Sequence, residues 1–257
     1  MAKIVEIMGS PGVGKTTIYQ QMASEWKKNY KWIPGEFLIP KEKLISQKYT
    51  TSILNILRFI FLRKEKYDVA AMDEAGVRFV TLYPEYIDKC WNNINCIYKK
   101  NENGSDLRFQ KISYLYKLIQ KIQILRERGS DQIAIVDEGL IHLITNSLCK
   151  KESEFEEKEE IEKLLQVMPI PDGFICVETD LEENTKRLLQ RKKVISMHKS
   201  LMQSQLEKVI CLDHKRRVAV NAILETRNIP LLRINSTDKV ATNVSKIINF
   251  VENLSLL

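Results

Sequence analysis

The stretch Gly9-Ser10-Pro11-Gly12-Val13-Gly14-Lys15-Thr16 decides the architecture. It follows an apolar run, Ile4 to Met8, and opens a segment in which Ile18, Met22, Ala23 and Trp26 recur at helical spacing. G-x-x-x-x-G-K-[ST] between a buried strand and a helix is a loop suited to phosphate. Its glycines let the chain turn tightly, so that successive N–H groups face one anion, and the following helix adds the positive end of its dipole. Lys15 reaches the β- and γ-phosphates as a point charge, Thr16 offers its hydroxyl to a magnesium ion, and Thr17 follows at the helix start. Gly9 through Thr17 therefore read as the contact residues for a nucleoside triphosphate with Mg2+. A dinucleotide-binding loop is excluded: the position three after Gly14 is Thr17, not glycine or alanine, and no second strand ends in an acidic residue at the required offset.

The second motif is Ile133-Ala134-Ile135-Val136-Asp137-Glu138, an apolar strand that delivers carboxylates at its end. Asp137 is placed to hold the magnesium ion opposite Thr16, as in a Walker B element. Glu138 has three candidate roles, polarising a water, positioning an acceptor hydroxyl or pairing with an arginine. A competing D-x-x-G occurs at Asp73-Glu74-Ala75-Gly76, but the preceding Val69-Ala70-Ala71-Met72 is alanine-rich for a core strand and no N-K-x-D follows, which argues against a GTPase switch. An L-S-G-G-Q-like signature of transporter ATPases is missing, and the length does not accommodate the two motor domains of a helicase.

With 257 residues, a single α/β domain over 1–257 is the simplest organisation. The five cysteines form no C-x-x-C pair and have no histidine at zinc spacing, so they read as reduced thiols of a cytoplasmic protein. The chain enters its first strand at once, leaving no room for a signal sequence, and the most apolar run, Ile53 to Leu62, is broken by Asn55 and Arg58. No membrane association is expected. The net charge of +7 is uneven: seven glutamates lie between Glu152 and Glu162, whereas basic residues gather at Lys186 to Lys193 and His214 to Arg217. That distribution suits a small anionic substrate at least as well as nucleic acid.

Along the chain, strands alternate with helices. Periodicity predicts strands at Lys3–Met8, Trp32–Leu38, Gln132–Asp137, Gly173–Glu178 and Pro230–Ile234, with helices at Thr16–Tyr30, Leu107–Arg128, about Gln205–Arg227 and about Val240–Leu254. The region Tyr49–Tyr98 reads as mainly helical, Asn101 to Asp106 as a loop, and Asp180 with Glu183 as a capping box. Continuous apolar strands alternating with helices imply a parallel sheet covered on both faces. After the fourth strand, Arg187 and Arg191 lie four apart on one helical face, where arginines on a mobile segment stabilise charge on a phosphoryl group in transfer and exclude water.

In this order of elements the chain resembles the P-loop nucleoside and nucleotide kinases, most closely the thymidylate kinase and deoxynucleoside kinase branch. The resemblance runs from the phosphate loop through the acidic strand end, the Pro171-Asp172-Gly173-Phe174-Ile175-Cys176-Val177 strand and the arginine segment to Ile229-Pro230-Leu231-Leu232-Arg233-Ile234. It implies a three-layer α/β/α fold with a five-stranded parallel sheet, a helical acceptor-side insertion over about 41–128, an arginine lid over about 187–204, and ATP with Mg2+ as donor. It further implies that Arg187 or Arg191 acts on the transferred phosphoryl, that Asn235-Ser236-Thr237 lies near the adenine, and that Glu36, after the second strand, is a candidate general base. The strand end reads Asp137-Glu138-Gly139, without the arginine that the family carries after its acidic residue, which leaves the acceptor open: a nucleoside, a nucleotide or another small hydroxyl or phosphate compound. Arg58, Arg63, Arg78, Tyr83, Tyr86, Trp91 and Arg108 are candidates to line its pocket, the aromatics being more often core. Two other readings stand beside a small-molecule kinase: a nucleotide-switched ATPase or interaction module in which Glu138 activates water, and a nucleic-acid end kinase using the basic segment as a phosphate track. A homodimer is compatible with all three.

Overall fold

Every residue of Ile4-Val5-Glu6-Ile7-Met8 is buried, as expected for a strand with layers packed on both of its faces. The computed structural model describes residues 2–41, 67–98, 106–128, 132–148, 154–190 and 203–255. Strand β1 (Ile4–Met8) lies at the centre of a five-stranded sheet with β2 (Trp32–Pro34), β3 (Ile133–Val136), β4 (Gly173–Glu178) and β5 (Leu231–Asn235), in the order β2-β3-β1-β4-β5. All four pairings are parallel, with Glu6 opposite Val136 on one side and Phe174 on the other.

Alternation along these strands sends side chains to two separate cores. Val5, Ile7, Ile133, Ile135, Ile175 and Val177 pack with α1 (Lys15–Glu25) and α9 (Val240–Leu254). Ile4, Met8, Ala134, Val136, Phe174 and Cys176 face the opposite layer. That layer holds α2 (Val69–Leu82), α3 (Pro84–Ile97), α4 (Arg108–Arg128), α5 (Leu140–Leu143, continued by a π turn to Leu148) and α6 (Glu154–Val167). Helix α7 (Leu181–Leu189) packs on α8 (Gln203–Thr226), which also contributes Val220 and Leu224 to the second core. This is the three-layer α/β/α arrangement around a five-stranded parallel sheet expected from the resemblance. In open parallel sheets the carboxyl edge, where chain direction across the sheet reverses, is the usual ligand crevice. Here β1 and β3 end there, followed by the glycine loop and by Asp137. Among the described residues, no helix is long and apolar enough to cross a membrane.

Several elements differ from expectation for local reasons. Helix α1 ends at Glu25, not Tyr30, because Trp26 turns extended (φ −62°, ψ 137°) and its indole N–H donates to the Trp32 carbonyl at 2.7 Å. The second strand spans only Trp32–Pro34 and passes into a 3-10 turn, Gly35–Phe37. Asp73 to Gly76 lies inside α2, where Asp68 caps the helix by accepting from the Ala71 N–H, so this D-x-x-G is no strand-end switch. The capping box at α7 does not form: Asp180 is at the N-cap, but its side chain makes no capping hydrogen bond, and Glu183 accepts from Arg187 Nε at 2.8 Å instead. Arg58, Arg63, Arg191 and the segment 191–202 of the expected lid lie outside the described residues.

Candidate active site

The glycine loop takes the shape its sequence requires. Gly12 and Gly14 have φ of 88° and 103°, a region that disfavours side chains, and a Cβ at Gly12 would also lie 2.6 Å from Leu188 Cγ. No side chain caps the start of α1, where the first N–H groups of a helix have no intrahelical partner. Lys15 is 7 % exposed and folds back into the loop, donating from Nζ to the carbonyls of Gly9 at 2.7 Å and Ser10 at 3.2 Å. Burial, together with the charge of Arg217, pulls its ammonium down to about 8, against the opposing pull of Asp137, Glu138 and Asp213.

The two halves of the expected metal site meet. Thr16 Oγ1 donates to Asp137 Oδ2 at 2.9 Å, across 121 residues of sequence. The other carboxylate oxygen, Asp137 Oδ1, is buried without a hydrogen-bond partner, and burial raises the Asp137 carboxyl above its ordinary range. An orphaned carboxylate oxygen beside a hydroxyl, both at the mouth of a phosphate loop, is a donor set that fits Mg2+. Thr16 and Asp137 are the residues that would hold the ion.

Glu138 is exposed next to Asp137 and is held from two sides. Tyr114 Oη of α4 donates to Glu138 Oε2 at 3.2 Å, and His142 Nε2 of α5 lies 3.5 Å from Oε1. Burial, reinforced by the charge of Glu138, pushes the Tyr114 hydroxyl well up, which keeps it a donor; burial and the charges of Lys15 and Arg217 hold His142 neutral, well below 6.5. Glu36 accepts a hydrogen bond from Tyr19 Oη, whose proton burial holds tightly. Tyr19 Oη also lies 3.3 Å from the Ile135 carbonyl, so it ties the 3-10 turn to β3.

A residue that sequence reading passed over organises the strand end. Glu6, fully buried on β1, accepts from the backbone N–H of Gly139 (3.1 Å), Ile141 (3.2 Å) and His142 (3.0 Å). It therefore fixes the turn that carries Asp137 and Glu138. A Cβ at Gly139 would lie 2.5 Å from Glu6 Cδ, so a side chain there would have to displace the turn or the Glu6 carboxylate. Burial raises the Glu6 carboxyl to about 7, opposed by those three N–H groups and by Arg217. A charged residue in an otherwise apolar strand was the available signal.

Arg187 sits within α7, donating to the Val13 carbonyl at 3.3 Å and to Ser236 Oγ at 2.9 Å. It thus joins the outside of the loop to Asn235-Ser236-Thr237, where Asn235 Oδ1 accepts from the Thr237 N–H and hydroxyl. Of the acceptor-side candidates, Tyr86 is core, Tyr83 packs on Phe79, and Arg78 and Arg108 pair with Glu127 and Asp106. Trp91 remains half-exposed.

No family model matches the chain. No curated protein matches it in sequence. Among solved structures it is similar to a deoxyadenosine kinase from M. mycoides with products dCMP and a flexible dCDP bound, at 12 % identity and a TM-score of 0.47, covering 97 % of this chain and 99 % of that one. The same enzyme with bound dATP gives 12 % identity and 0.46 over the same shares of both chains. A gluconokinase from Sinorhizobium meliloti gives 12 % and 0.37, covering 99 % of this chain and 93 % of that one.

Proposed function

We propose that the chain is an ATP- and magnesium-dependent phosphotransferase that moves the γ-phosphoryl group to a small acceptor, a nucleoside, nucleotide or other hydroxyl or phosphate compound. The observation that carries this reading is the Thr16–Asp137 contact with its orphaned Asp137 Oδ1, directly beside a Glu138 held by Tyr114 and His142. The bound ion supplies charge neutralisation at the phosphate oxygens. The loop N–H groups and Lys15 orient the phosphates, and Arg187 with Asn235-Ser236-Thr237 borders the space for the base.

Of the carboxylates, Glu138 is the one assigned to the acceptor. Its charge reaches Lys15, while Glu36 is engaged by Tyr19. In the transfer to a hydroxyl acceptor, the hydroxyl gives its proton to Glu138, its oxygen bonds to the γ-phosphorus, and the bond from that phosphorus to the leaving diphosphate oxygen breaks. The test is ADP release measured with a panel of nucleosides, nucleotides and sugars. Transfer should be lost in Lys15→Ala and fall about 100-fold in Glu138→Gln, with Glu36→Gln much milder. Transfer undiminished in Lys15→Ala would sink the mechanism, and rapid acceptor-independent hydrolysis abolished by Glu138→Gln would favour a nucleotide-switched ATPase.

A further inference from the structure

We propose that Arg217, on α8, is a further catalytic residue whose free guanidinium nitrogen donates to the terminal phosphoryl of the bound triphosphate; the inference rests on the function proposed above. Arg217 is 4 % exposed and held by a two-pronged pair with Asp213, from Nε to Oδ2 at 2.8 Å and from Nη2 to Oδ1 at 3.0 Å. The third nitrogen, Nη1, is buried with no hydrogen-bond partner. Arg217 lines one pocket with Ser10 of the phosphate loop, Thr179, Asn184, His214 and Asn221.

A desolvated cation with an open donor is costly unless an anion or water completes it. Thr179 Oγ1, Asn184 Oδ1 and Asn221 Oδ1 are also without partners and suit ordered water. A guanidinium nitrogen on the flank of a phosphate loop suits a phosphate oxygen. The charge of Arg217 is felt at Lys15, Glu6, His142 and Cys176. The pocket that Arg217 lines is shared by Ser10 and Val13 of the phosphate loop and Cys176 to Glu178 of β4, so the guanidinium sits between that loop and that strand. Asp213 fixes the fork and leaves Nη1 without a partner. Arg217 gives up no proton; it stabilises the charge that spreads over the equatorial oxygens during transfer.

The experiment is titration calorimetry with magnesium and either ADP or the β,γ-imido analogue of ATP, combined with steady-state kinetics. Wild-type protein is compared with Arg217→Lys and with the doubly neutral Asp213→Asn/Arg217→Gln, which avoids stranding a buried carboxylate. Wild type should prefer the triphosphate analogue. Both variants should lose about tenfold of that preference, keep ADP affinity within about twofold, and show kcat down on the order of 100-fold or more at unchanged acceptor KM. Retained preference and kcat overturn the inference, as does a loss of ADP affinity in step with the analogue, which marks a structural role. Wild-type protein that binds neither nucleotide overturns the proposed function itself.

Discussion

Replacing Glu6 by glutamine should make the protein more stable at pH 8 than the wild type. In the folded state the Glu6 carboxyl titrates near 7, against 4.5 in the unfolded chain, because burial outweighs the three N–H groups it accepts. The folded state therefore holds this proton more tightly. Stability from the group is fully present below pH 4.5 and is lost as pH rises through 7. Between pH 5 and 8 the loss amounts to about 2.5 kcal/mol, at roughly 1.4 kcal/mol per tenfold change in proton binding. For a chain of this size that is a Tm change of about 5–10 °C. Glutamine mimics the protonated acid, retaining a carbonyl acceptor for the turn, so the two proteins should be closest in stability at pH 5 and below and diverge progressively from there to pH 8. His142, buried and neutral, adds a slope of opposite sign as pH falls below 6.5, but it is common to both proteins and cancels in the difference. Equilibrium urea unfolding at half-unit pH steps measures the effect. Parallel stability curves for wild type and Glu6→Gln between pH 5 and 8 would refute the reasoning.

Gly139→Ala puts a methyl group 2.5 Å from the Glu6 carboxyl carbon, so the turn must shift and its N–H bonds to a buried acid weaken; we expect a loss of about 2–4 kcal/mol in denaturant unfolding. Asp213→Ala leaves the Arg217 guanidinium buried without its partner, at a cost of about 3–5 kcal/mol, whereas disrupting the exposed Lys246–Asp238 pair should cost under about 1 kcal/mol by the same assay. Asp137→Asn removes the charge from the only carboxylate in contact with Thr16 among the described residues, so magnesium should no longer tighten nucleotide binding in calorimetry, while metal-free binding persists.

What the sequence made legible was local. The loop Gly9–Thr16 and the strand ending at Asp137 carry their own letters, and each sits where periodicity put it. Contacts between distant segments were not legible: Glu6 reaches residues 133 and more positions away, and Tyr114 meets Glu138 only because α4 packs beside β3. Arg217 appeared in the sequence merely as part of a basic cluster; its i,i+4 relation to Asp213 acquires meaning only when α8 buries both. The capping box at Asp180 failed because Glu183 had a stronger partner in Arg187, a charged side chain instead of a backbone N–H. Helix α1 was read five residues too long, since the indole of Trp26 found a carbonyl on β2 that periodicity does not encode.

Lys15 is bonded to the carbonyls of its own loop, with its ammonium drawn down to about 8. Phosphate oxygens favour the charged form over the neutral amine, so under the proposed function a nucleotide would enter together with a proton wherever the free lysine is partly neutral. At pH 8 binding should take up as much as about half a proton, and at pH 6.5 almost none. The heat of binding would then depend on the ionisation enthalpy of the buffer, and affinity would decline with rising alkalinity through the loop itself, apart from any titration of the acceptor.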